Sequence, residues 1–307
     1  MKKIRAVLAV FLIIIYGGFY YYANKTLTAI NSFSSTELKG EELGEGNIIE
    51  QKFDHEIMFL IAGIDQNQDE TPRSLKQLNH TRTDTLMLMK ANFDTGKIDL
   101  ISLPRDSRVN VNGKLDKLNH AHAYGGIALT LKTIRNFMNI DLDYYIKVSF
   151  QSVIKIVDAV GGVTVDVPMT MDYPSIGVHI PKGRQKLTGK EALTFVRYRE
   201  GYSEGDMGRV KQQQKFVKEL LKQTLSTSNI PKLPNIIDSI KDDIETNIPL
   251  STILRLTKHA SKLDVNSMRT ASIPGHYQYI NHLSYYVLNN QQIKQFVNEN
   301  FKEYILR

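Results

Sequence analysis

Arginine and aspartate residues are concentrated in three stretches of this chain, each at the end of a predicted strand or helix. The stretches are residues 63–65 with 82–85, residues 103–108, and residues 196–199 with 206–213. The guanidinium group presents its donors in a planar fork that fits phosphate oxygens, and it stays charged at any physiological pH. Several arginines brought to one place would therefore bind a multiply charged anion.

Asp65 and Asp84 lie near strand ends within the first of these stretches. Carboxylates are the hard oxygen ligands that hold Mg²⁺ beside a phosphate group. Each Arg–Asp stretch has an alternative interpretation as a surface ion pair, which stabilises a protein little. The spacing of Arg197 and Arg199 favours a site, because alternate side chains of an extended segment project to the same side.

The hydrophobic pattern predicts strands and helices that are interleaved along the chain. Apolar runs bounded by turn residues predict strands at 57–61, 85–91, 98–103, 145–149, 163–167 and 269–273. Helical periodicity predicts helices at 121–138, 152–160, 207–225, 236–244, 251–263 and 291–301. Thr188 and Glu191 have the spacing of a capping box that opens a short helix through Val196. These elements fit a single α/β domain in which helices cover a sheet.

The N-terminus predicts a membrane anchor. Lys2, Lys3 and Arg5 precede an uncharged run at 6–23, and about 18 helical residues extend about 27 Å, close to the hydrocarbon thickness of a bilayer. Tyrosines occupy the position where a signal peptide would be cleaved, so we expect an uncleaved single span. The positive-inside rule places the N-terminus in the cytoplasm. The predicted order is a cytoplasmic tail at 1–5, a transmembrane helix at 6–23, a polar extracellular stalk at 24–52 and a folded domain at 53–307.

The composition excludes several classes of protein. The 307 residues contain no cysteine, which rules out disulfides and thiol nucleophiles. A formal net charge of +7 favours an anionic partner, whether nucleic acid, an acidic membrane or a phosphorylated ligand. The sequence has no P-loop, no nucleophile elbow and no zinc-protease motif. His120 and His122 form one spaced pair without a third ligand, which is a weak signal for a metal site.

Seven short motifs follow one another along the chain. They are Gly63-Ile-Asp65, Arg82-Thr-Asp84-Thr85, Leu103-Pro-Arg105-Asp106, Lys117-Leu-Asn119-His120-Ala121 with Tyr124-Gly-Gly126, Val160-Gly-Gly162-Val163, Leu187-Thr-Gly189 with Glu191-Ala192, and Arg197-Tyr-Arg199 with Asp206, Arg209 and Gln213. Over about residues 55–225 their order and context resemble the LytR-CpsA-Psr family, as does the predicted anchor. The resemblance implies a mixed sheet between helical layers, an α-β-α sandwich, in a bacterial enzyme outside the membrane, typical of Gram-positive bacteria.

The resemblance also implies a reaction and its partners. The enzyme would take an anionic glycopolymer from a polyprenyl-pyrophosphate carrier and join it to a peptidoglycan hydroxyl. A phosphodiester forms and polyprenyl phosphate is released. The partners expected are therefore the lipid-linked glycopolymer, peptidoglycan and the membrane, without nucleic acid.

The same resemblance assigns roles to the motif residues. The catalytic residues implied are Arg82, Asp84, Arg105 and Asp206. The pyrophosphate-binding residues implied are Arg82, Arg105, Arg108, Arg197, Arg199, Arg209 and Gln213, and the ligands of Mg²⁺ or Mn²⁺ are Asp65 and Asp84. Asp206 and Asp84 are both candidates for a general base. Gln212 and Gln66 depart from residues that family members often have, which bears on substrate handling more than on the reaction.

Two other functions are compatible with parts of the sequence. The positive charge would suit a DNA-binding regulator, but a domain outside the membrane does not meet the chromosome, and no helix carries a basic recognition stripe. A polyprenyl-pyrophosphate binder or pyrophosphatase would use the same residues and release its product to water. The polyprenyl tail needs an apolar slot, for which the helices at 121–138 and 207–225 are candidates, although apolar helix faces are ordinarily core.

Overall fold

The computed structural model describes residues 56–64, 81–224, 244–249, 252 and 262–306. The predicted tail, transmembrane helix and stalk lie outside these residues. Asp65, Gln66 and most of the two predicted helices at 236–244 and 251–263 lie outside them as well. Within the described ranges, no helix is both long and apolar enough to cross a membrane.

Fourteen strands and five helices make up the described part of the chain. The strands are β1 Glu56–Ile64, β2 Thr83–Asn92, β3 Ile98–Ser102, β4 Arg108–Val111, β5 Lys114–Lys117, β6 Tyr144–Ser149, β7 Val163–Val167, β8 Met171–Tyr173, β9 Val178–Ile180, β10 Gly183–Leu187, β11 Ile244–Thr246, β12 Arg269–Ser272, β13 Gly275–Ile280 and β14 Leu283–Leu288. The helices are α1 Leu118–Met138, α2 Phe150–Ala159, α3 Gly189–Arg197, α4 Asp206–Thr224 and α5 Asn290–Asn300.

A mixed six-stranded sheet forms the centre of the molecule, in the order β11-β6-β1-β2-β3-β12. β1 pairs antiparallel with β2 and parallel with β6, while β3 pairs antiparallel with β2 and parallel with β12. The remaining strands form two-stranded pairs: β4 with β5, β7 with β10, β8 with β9 and β13 with β14.

Both faces of this sheet are buried, which explains why β1 is an uninterrupted apolar run. Side chains alternate between faces along a strand, so Met58 and Leu60 enter one apolar cluster and Ile57 and Phe59 the other. Residues of α1 and α5 belong to the first cluster, and residues of α2 and α3 belong to the second. The predicted α-β-α sandwich with a mixed sheet is confirmed.

The two helices considered for a lipid slot pack mainly on opposite faces of the central sheet, although Met207 at the start of α4 packs against the cluster that contains α1. Phe216 and Leu221 of α4 pack into the cluster with α2 and α3. Ile134 and Met138 of α1 pack into the cluster on the opposite face of the sheet. The apolar faces of both helices over these residues are therefore core.

The strand ends next to the predicted site residues meet at one edge of the sheet. Ile64, the last residue of β1, pairs with Thr83 at the start of β2 and with Ser149 at the end of β6. Ser102 ends β3 and pairs with Ser272, which ends β12. β3 runs antiparallel to β2, so its end lies toward the start of β2. We call this edge, where β1, β3, β6 and β12 end and β2 begins, the active edge.

All six predicted strands are confirmed, but the sequence interpretation missed three hairpins, β4–β5, β8–β9 and β13–β14. The β4–β5 hairpin turns at Asn112 and Gly113, which have φ of 50° and 90°. Asn-Gly is the pair that favours this left-handed type of turn. The β13–β14 hairpin turns at Asn281 and His282, also at positive φ. Ile244, the last residue of the predicted helix at 236–244, begins β11 and is not helical.

Candidate functional site

Asp84 and Arg105 form the centre of the site at the active edge. Asp84 is the second residue of β2, and Arg105 follows the end of β3 by three residues. Nη1 of Arg105 donates to Oδ1 of Asp84, and Nη2 of Arg199 lies 3.8 Å from the same oxygen. The side chains of Asp84 and Arg105 are 12% and 17% exposed. Two guanidinium groups from distant segments thus share one shielded carboxylate.

Acidic neighbours keep Arg105 charged. Its Nε lies 3.7 Å from Oδ2 of Asp106, whose Oδ1 is 2.8 Å from Nζ of Lys117. Burial alone would lower the pKa of Arg105, but the charges of Asp84, Asp106 and Asp206 raise it above its ordinary value. Arg105 is therefore a permanent cation.

Asp206 and Arg209 form a second pair at the start of α4. Arg209 is 2% exposed, and its Nε and Nη2 donate to the two carboxylate oxygens of Asp206, both at 2.8 Å. The hydroxyl of Tyr277, on β13, donates to Oδ2 of the same carboxylate at 3.0 Å. Burial would raise the pKa of Asp206, but the hydrogen bonds and charge of Arg209, with Arg105 and Tyr277, hold it below its usual range.

Arg199 links the two pairs. It is half-exposed, and burial together with the positive charges of Arg105 and Arg209 lowers its pKa, while Asp84 and Asp206 oppose this effect. Three guanidinium groups are close enough here for their charges to act on one another. A multiply charged anion would reduce their mutual repulsion.

The prediction that Arg197 and Arg199 project to the same side of one extended segment is wrong. Arg197 is the last residue of α3 and Tyr198 after it is extended, so the two arginines do not lie on one extended segment. The two arginines accordingly have different surroundings. Arg199 faces Asp84, whereas the guanidinium of Arg197 lies 4.9 Å from the ring centre of Phe150, at the start of α2.

The other predicted anion-binding residues lie around this centre. The hydrogen bond to Asp116 raises the pKa of Tyr124 on α1, and the positive charge of Arg82 opposes this shift. The guanidinium of Arg108 lies 5.9 Å from the ring centre of Tyr285 on β14. Gln213 is buried, and its Nε2 donates to the carbonyl oxygen of Val196 at 3.0 Å, which ties α4 to the end of α3. Their binding to pyrophosphate stays a prediction.

Comparisons with known proteins identify the family. The sequence model of the LytR_cpsA_psr family matches residues 18–302. The chain belongs to the LytR-CpsA-Psr family. Among its relatives in this family, the polyisoprenyl-teichoic acid–peptidoglycan teichoic acid transferase TagU of Bacillus subtilis (strain 168) is 30% identical over 76% of this chain and 72% of its own. TagU of Oceanobacillus iheyensis is 28% identical over 94% of this chain and 89% of its own.

Solved structures give the same family fold. The crystal structure of B. subtilis TagV superposes with a TM-score of 0.66 at 27% identity, covering 81% of this chain and 98% of that one. The protein gbs0355 from Streptococcus agalactiae superposes with a TM-score of 0.72 at 25% identity, covering 81% of this chain and 88% of that one.

The donor set at the active edge is compatible with the divalent cation that the family resemblance implies. Asp84 supplies one shielded carboxylate, both of whose contacts to arginine use Oδ1. Mg²⁺ commonly binds one or two carboxylates together with substrate phosphates and water, so a full protein cage is not required. No group of three or more acidic or histidine side chains suited to a metal occurs within the residues described. Asp65 follows Ile64 along the chain but lies outside those residues.

The sequence interpretation missed the part of the site that comes from the C-terminal hairpin of this family member. Tyr277 contacts Asp206, and Nζ of Lys117 lies 5.5 Å from the ring centre of Tyr285. The β13–β14 hairpin is fixed to the segment that carries Arg105 and Asp106, because the Tyr286 amide donates to the Asp106 carbonyl oxygen at 2.9 Å. The available signal was the repeated tyrosine at 277, 279, 285 and 286, a pattern typical of paired strands.

Proposed function

We propose that this chain is a phosphotransferase that moves an anionic glycopolymer from a polyprenyl-pyrophosphate carrier to a hydroxyl of peptidoglycan. The family and the name of its TagU relatives support this reaction class. The observation that carries the proposal is the convergence of Arg105, Arg199 and Arg209 with two carboxylates at one edge of the sheet. A diphosphate is the group on the donor that such a cluster would bind.

The geometry indicates how the cluster would act. A hydroxyl oxygen of the acceptor bonds to the phosphorus nearer the glycan, and the bond from that phosphorus to the bridging oxygen breaks. Negative charge develops on the non-bridging and leaving oxygens. Guanidinium groups that are already fixed by Asp84 and Asp206 stabilise this charge without reorganising, so they favour the transition state over the ground state.

A bound Mg²⁺ or Mn²⁺ would add Lewis-acid stabilisation of the phosphate oxygens. Asp84 would hold the cation, and Asp65 is the second ligand proposed. Ile64, the residue before Asp65, pairs with Thr83, the residue before Asp84. The chain thus leaves β1 beside the strand that carries Asp84.

The proposed location is the cell envelope. Residues 6–23 would anchor the chain in the membrane with residues 1–5 in the cytoplasm, and the stalk at 24–52 would hold the catalytic domain outside. There the enzyme would meet both a lipid-linked donor and peptidoglycan. A fusion of a reporter phosphatase to the C-terminus tests this topology, since an intracellular C-terminus would leave the reporter inactive.

The test of the reaction compares Arg105→Ala with Arg135→Ala. Arg135 also pairs with two aspartates, Asp141 and Asp143, but on the surface at the end of α1. It is therefore a matched control for the loss of a paired arginine. The assay follows a labelled glycan from a polyprenyl-pyrophosphate donor, with and without an acceptor glycan, and thermal unfolding is recorded for each variant.

We expect Arg105→Ala to reduce transfer at least about 100-fold, because one electrostatic donor to a developing oxyanion contributes about 10²–10³ in rate. Arg135→Ala should transfer at the wild-type rate. Retained transfer in Arg105→Ala would contradict the assignment. Release of glycan phosphate to water that is unaffected by added acceptor would instead identify a pyrophosphatase.

A further inference from the structure

We call Arg105, Arg199 and Arg209 with Asp84 and Asp206 the arginine centre. Asp116, His120 and Tyr124 form a hydrogen-bonded cluster near it, which we call the His120 cluster. Nδ1 of His120 lies 2.8 Å from Oδ1 of Asp116, and the hydroxyl of Tyr124 donates to Oδ2 of Asp116 at 2.7 Å. Asp116 is on β5, while His120 and Tyr124 are one turn apart on α1. Each oxygen of the carboxylate thus holds one ring.

The carboxylate determines which nitrogen of His120 carries the proton. Partial burial would raise the pKa of Asp116, but hydrogen bonds from His120, Tyr124 and the Lys117 amide hold it below its ordinary value. An ionised carboxylate only accepts hydrogen bonds. Nδ1 of His120 must therefore be the donor, and in the neutral ring the lone pair lies on Nε2. This is the tautomer that a general base requires.

The first turns of α1 are tied to both loops of the arginine centre. The amide of Asn119, next to His120, donates to the carbonyl oxygen of Arg105 at 3.0 Å. Nδ1 of His122 lies 2.7 Å from the carbonyl oxygen of Thr81, the residue before Arg82. His120 thus lies between two anchor points, one on the Arg105 loop and one on the chain that leads to Asp84.

Part of the His120 cluster is exposed to solvent. The side chain of His120 is 18% exposed, and Tyr124 is 60% exposed although its hydroxyl is fixed by Asp116. The ring centres of the two residues are 5.8 Å apart. A fixed aromatic ring at the surface is a suitable platform for the apolar face of a sugar. The imidazole edge lies beside it.

We propose that the His120 cluster is the acceptor side of the site, in which Tyr124 supports a sugar of the acceptor and Nε2 of His120 takes the proton of its attacking hydroxyl. This inference rests on the proposed function. The acceptor oxygen bonds to phosphorus as its O–H proton moves to Nε2, and the bond to the bridging oxygen breaks. Polyprenyl phosphate leaves as an anion and needs no proton, and the imidazolium then returns its proton to water.

Asp116 and the hydroxyl of Tyr124 are positioning residues in this scheme, since they act through His120. In Asp116→Asn the amide can donate to Nδ1, which would move the ring proton to Nε2 and remove the base. The variant should therefore lose transfer in the same way as a His120 variant, and the double variant should be no worse than either single one. A role in folding alone would give additive losses.

The chain offers a matched control on the opposite face of the sheet. Nδ1 of His179 is also paired with a carboxylate, Asp172, in the β8–β9 hairpin. The neighbouring strand residues Val178 and Ile180 pack into the cluster with α2 and α3. His179→Asn therefore removes a histidine that is also paired with an aspartate but lies outside the proposed site.

The experiment compares wild type, His120→Asn, His120→Gln, Asp116→Asn, the double variant of Asp116→Asn with His120→Asn, and His179→Asn. Asn retains a donor near the position of Nδ1, so it can keep the contact with Asp116, and Gln provides a second variant if Asn does not fold. Donor binding is measured by titration with a polyprenyl-pyrophosphate glycan, and transfer to an acceptor glycan is measured from pH 5 to 9. The charged and titratable groups that contact His120 are Asp116 of β5 and Tyr124 of α1. Next to them, Lys117 donates its amide to Asp116, and Arg82 and Tyr285 act electrostatically on Tyr124.

We expect the His120 variants to bind the donor within about twofold of wild type and to transfer about 10²–10⁴-fold more slowly, the usual contribution of a general base. The fall of the wild-type rate toward acid pH, where imidazole becomes protonated, should disappear in them. His179→Asn should match wild type. Transfer within about threefold of wild type, or a slow variant with an unchanged acid limb, would overturn the inference while leaving the reaction intact. A wild type that hydrolyses the donor and never transfers it would contradict the proposed function, and the inference with it.

Discussion

The hydrogen bond from Tyr277 to Asp206 connects the C-terminal hairpin to the arginine centre, and Tyr277→Phe removes only that bond. The ring contact with Tyr286, at 5.1 Å between centres, remains. A hydrogen bond to a charged group contributes about 1.5–3 kcal/mol. We take the lower end, about 1.5–2 kcal/mol, because Asp206 keeps both bonds from Arg209. For a domain of this size, that corresponds to a melting temperature lowered by about 3–8 °C.

The pH dependence of the melting temperature provides a second test of the Tyr277–Asp206 hydrogen bond. The pKa of Asp206 is lower in the folded protein than its ordinary value. A carboxyl of this kind contributes its full stabilisation above its unfolded pKa, about 4, and loses it as pH falls through the folded pKa. The difference in melting temperature between wild type and Tyr277→Phe should therefore be complete at pH 7 and should shrink below about pH 4.

Tyr279→Phe is the matched control, because Tyr279 lies two residues along the same strand and is 78% exposed. Thermal unfolding followed by circular dichroism measures both variants. We expect Tyr279→Phe to unfold at the wild-type temperature. Equal melting temperatures for the two variants, or a difference that does not change with pH, would refute the energetic role given to the Tyr277–Asp206 bond.

Two further predictions concern a helix end and the cation. In the capping box of α3, the Thr188 hydroxyl accepts from the Glu191 amide and the Glu191 carboxylate accepts from the Thr188 amide. Thr188→Ala should therefore lower the free energy of unfolding by about 1 kcal/mol, measured by chemical denaturation. An unchanged free energy of unfolding would argue against the cap. Chelation with EDTA should abolish glycan transfer and added Mg²⁺ should restore it, whereas transfer that persists in excess chelator would contradict a role for Asp84 as a metal ligand.

Local signals account for most of what the sequence predicted correctly. The apolar run of β1 and the capping box of α3 both depend on neighbouring residues alone. The β4–β5 hairpin had the same kind of signal in Asn112-Gly113, and it was overlooked. The ends of elements were less predictable, since α3 extends one residue beyond Val196 to include Arg197.

Contacts across long stretches of chain were not predictable from spacing. The pairing of Asp84 with Arg105 joins two strand ends, and it depends on the antiparallel register of β2 and β3. The contact between Tyr277 and Asp206 spans 71 residues. No residue near Asp206 in the sequence indicates such a partner. The family resemblance supplied the arginines, but not the hairpin that completes their surroundings.

The parallel pairing of β12 with β3 has a consequence for how the molecule forms. Arg269 of β12 lies opposite Asp99 of β3, so the sheet gains its last strand from a segment 170 residues further along the chain. Such distant pairings form slowly, because a long loop must close before they are stabilised. The β13–β14 hairpin, which carries Tyr277, follows β12 directly. A chain synthesised from its N-terminus would therefore complete the surroundings of Asp206 only after β13, which carries Tyr277, has been added.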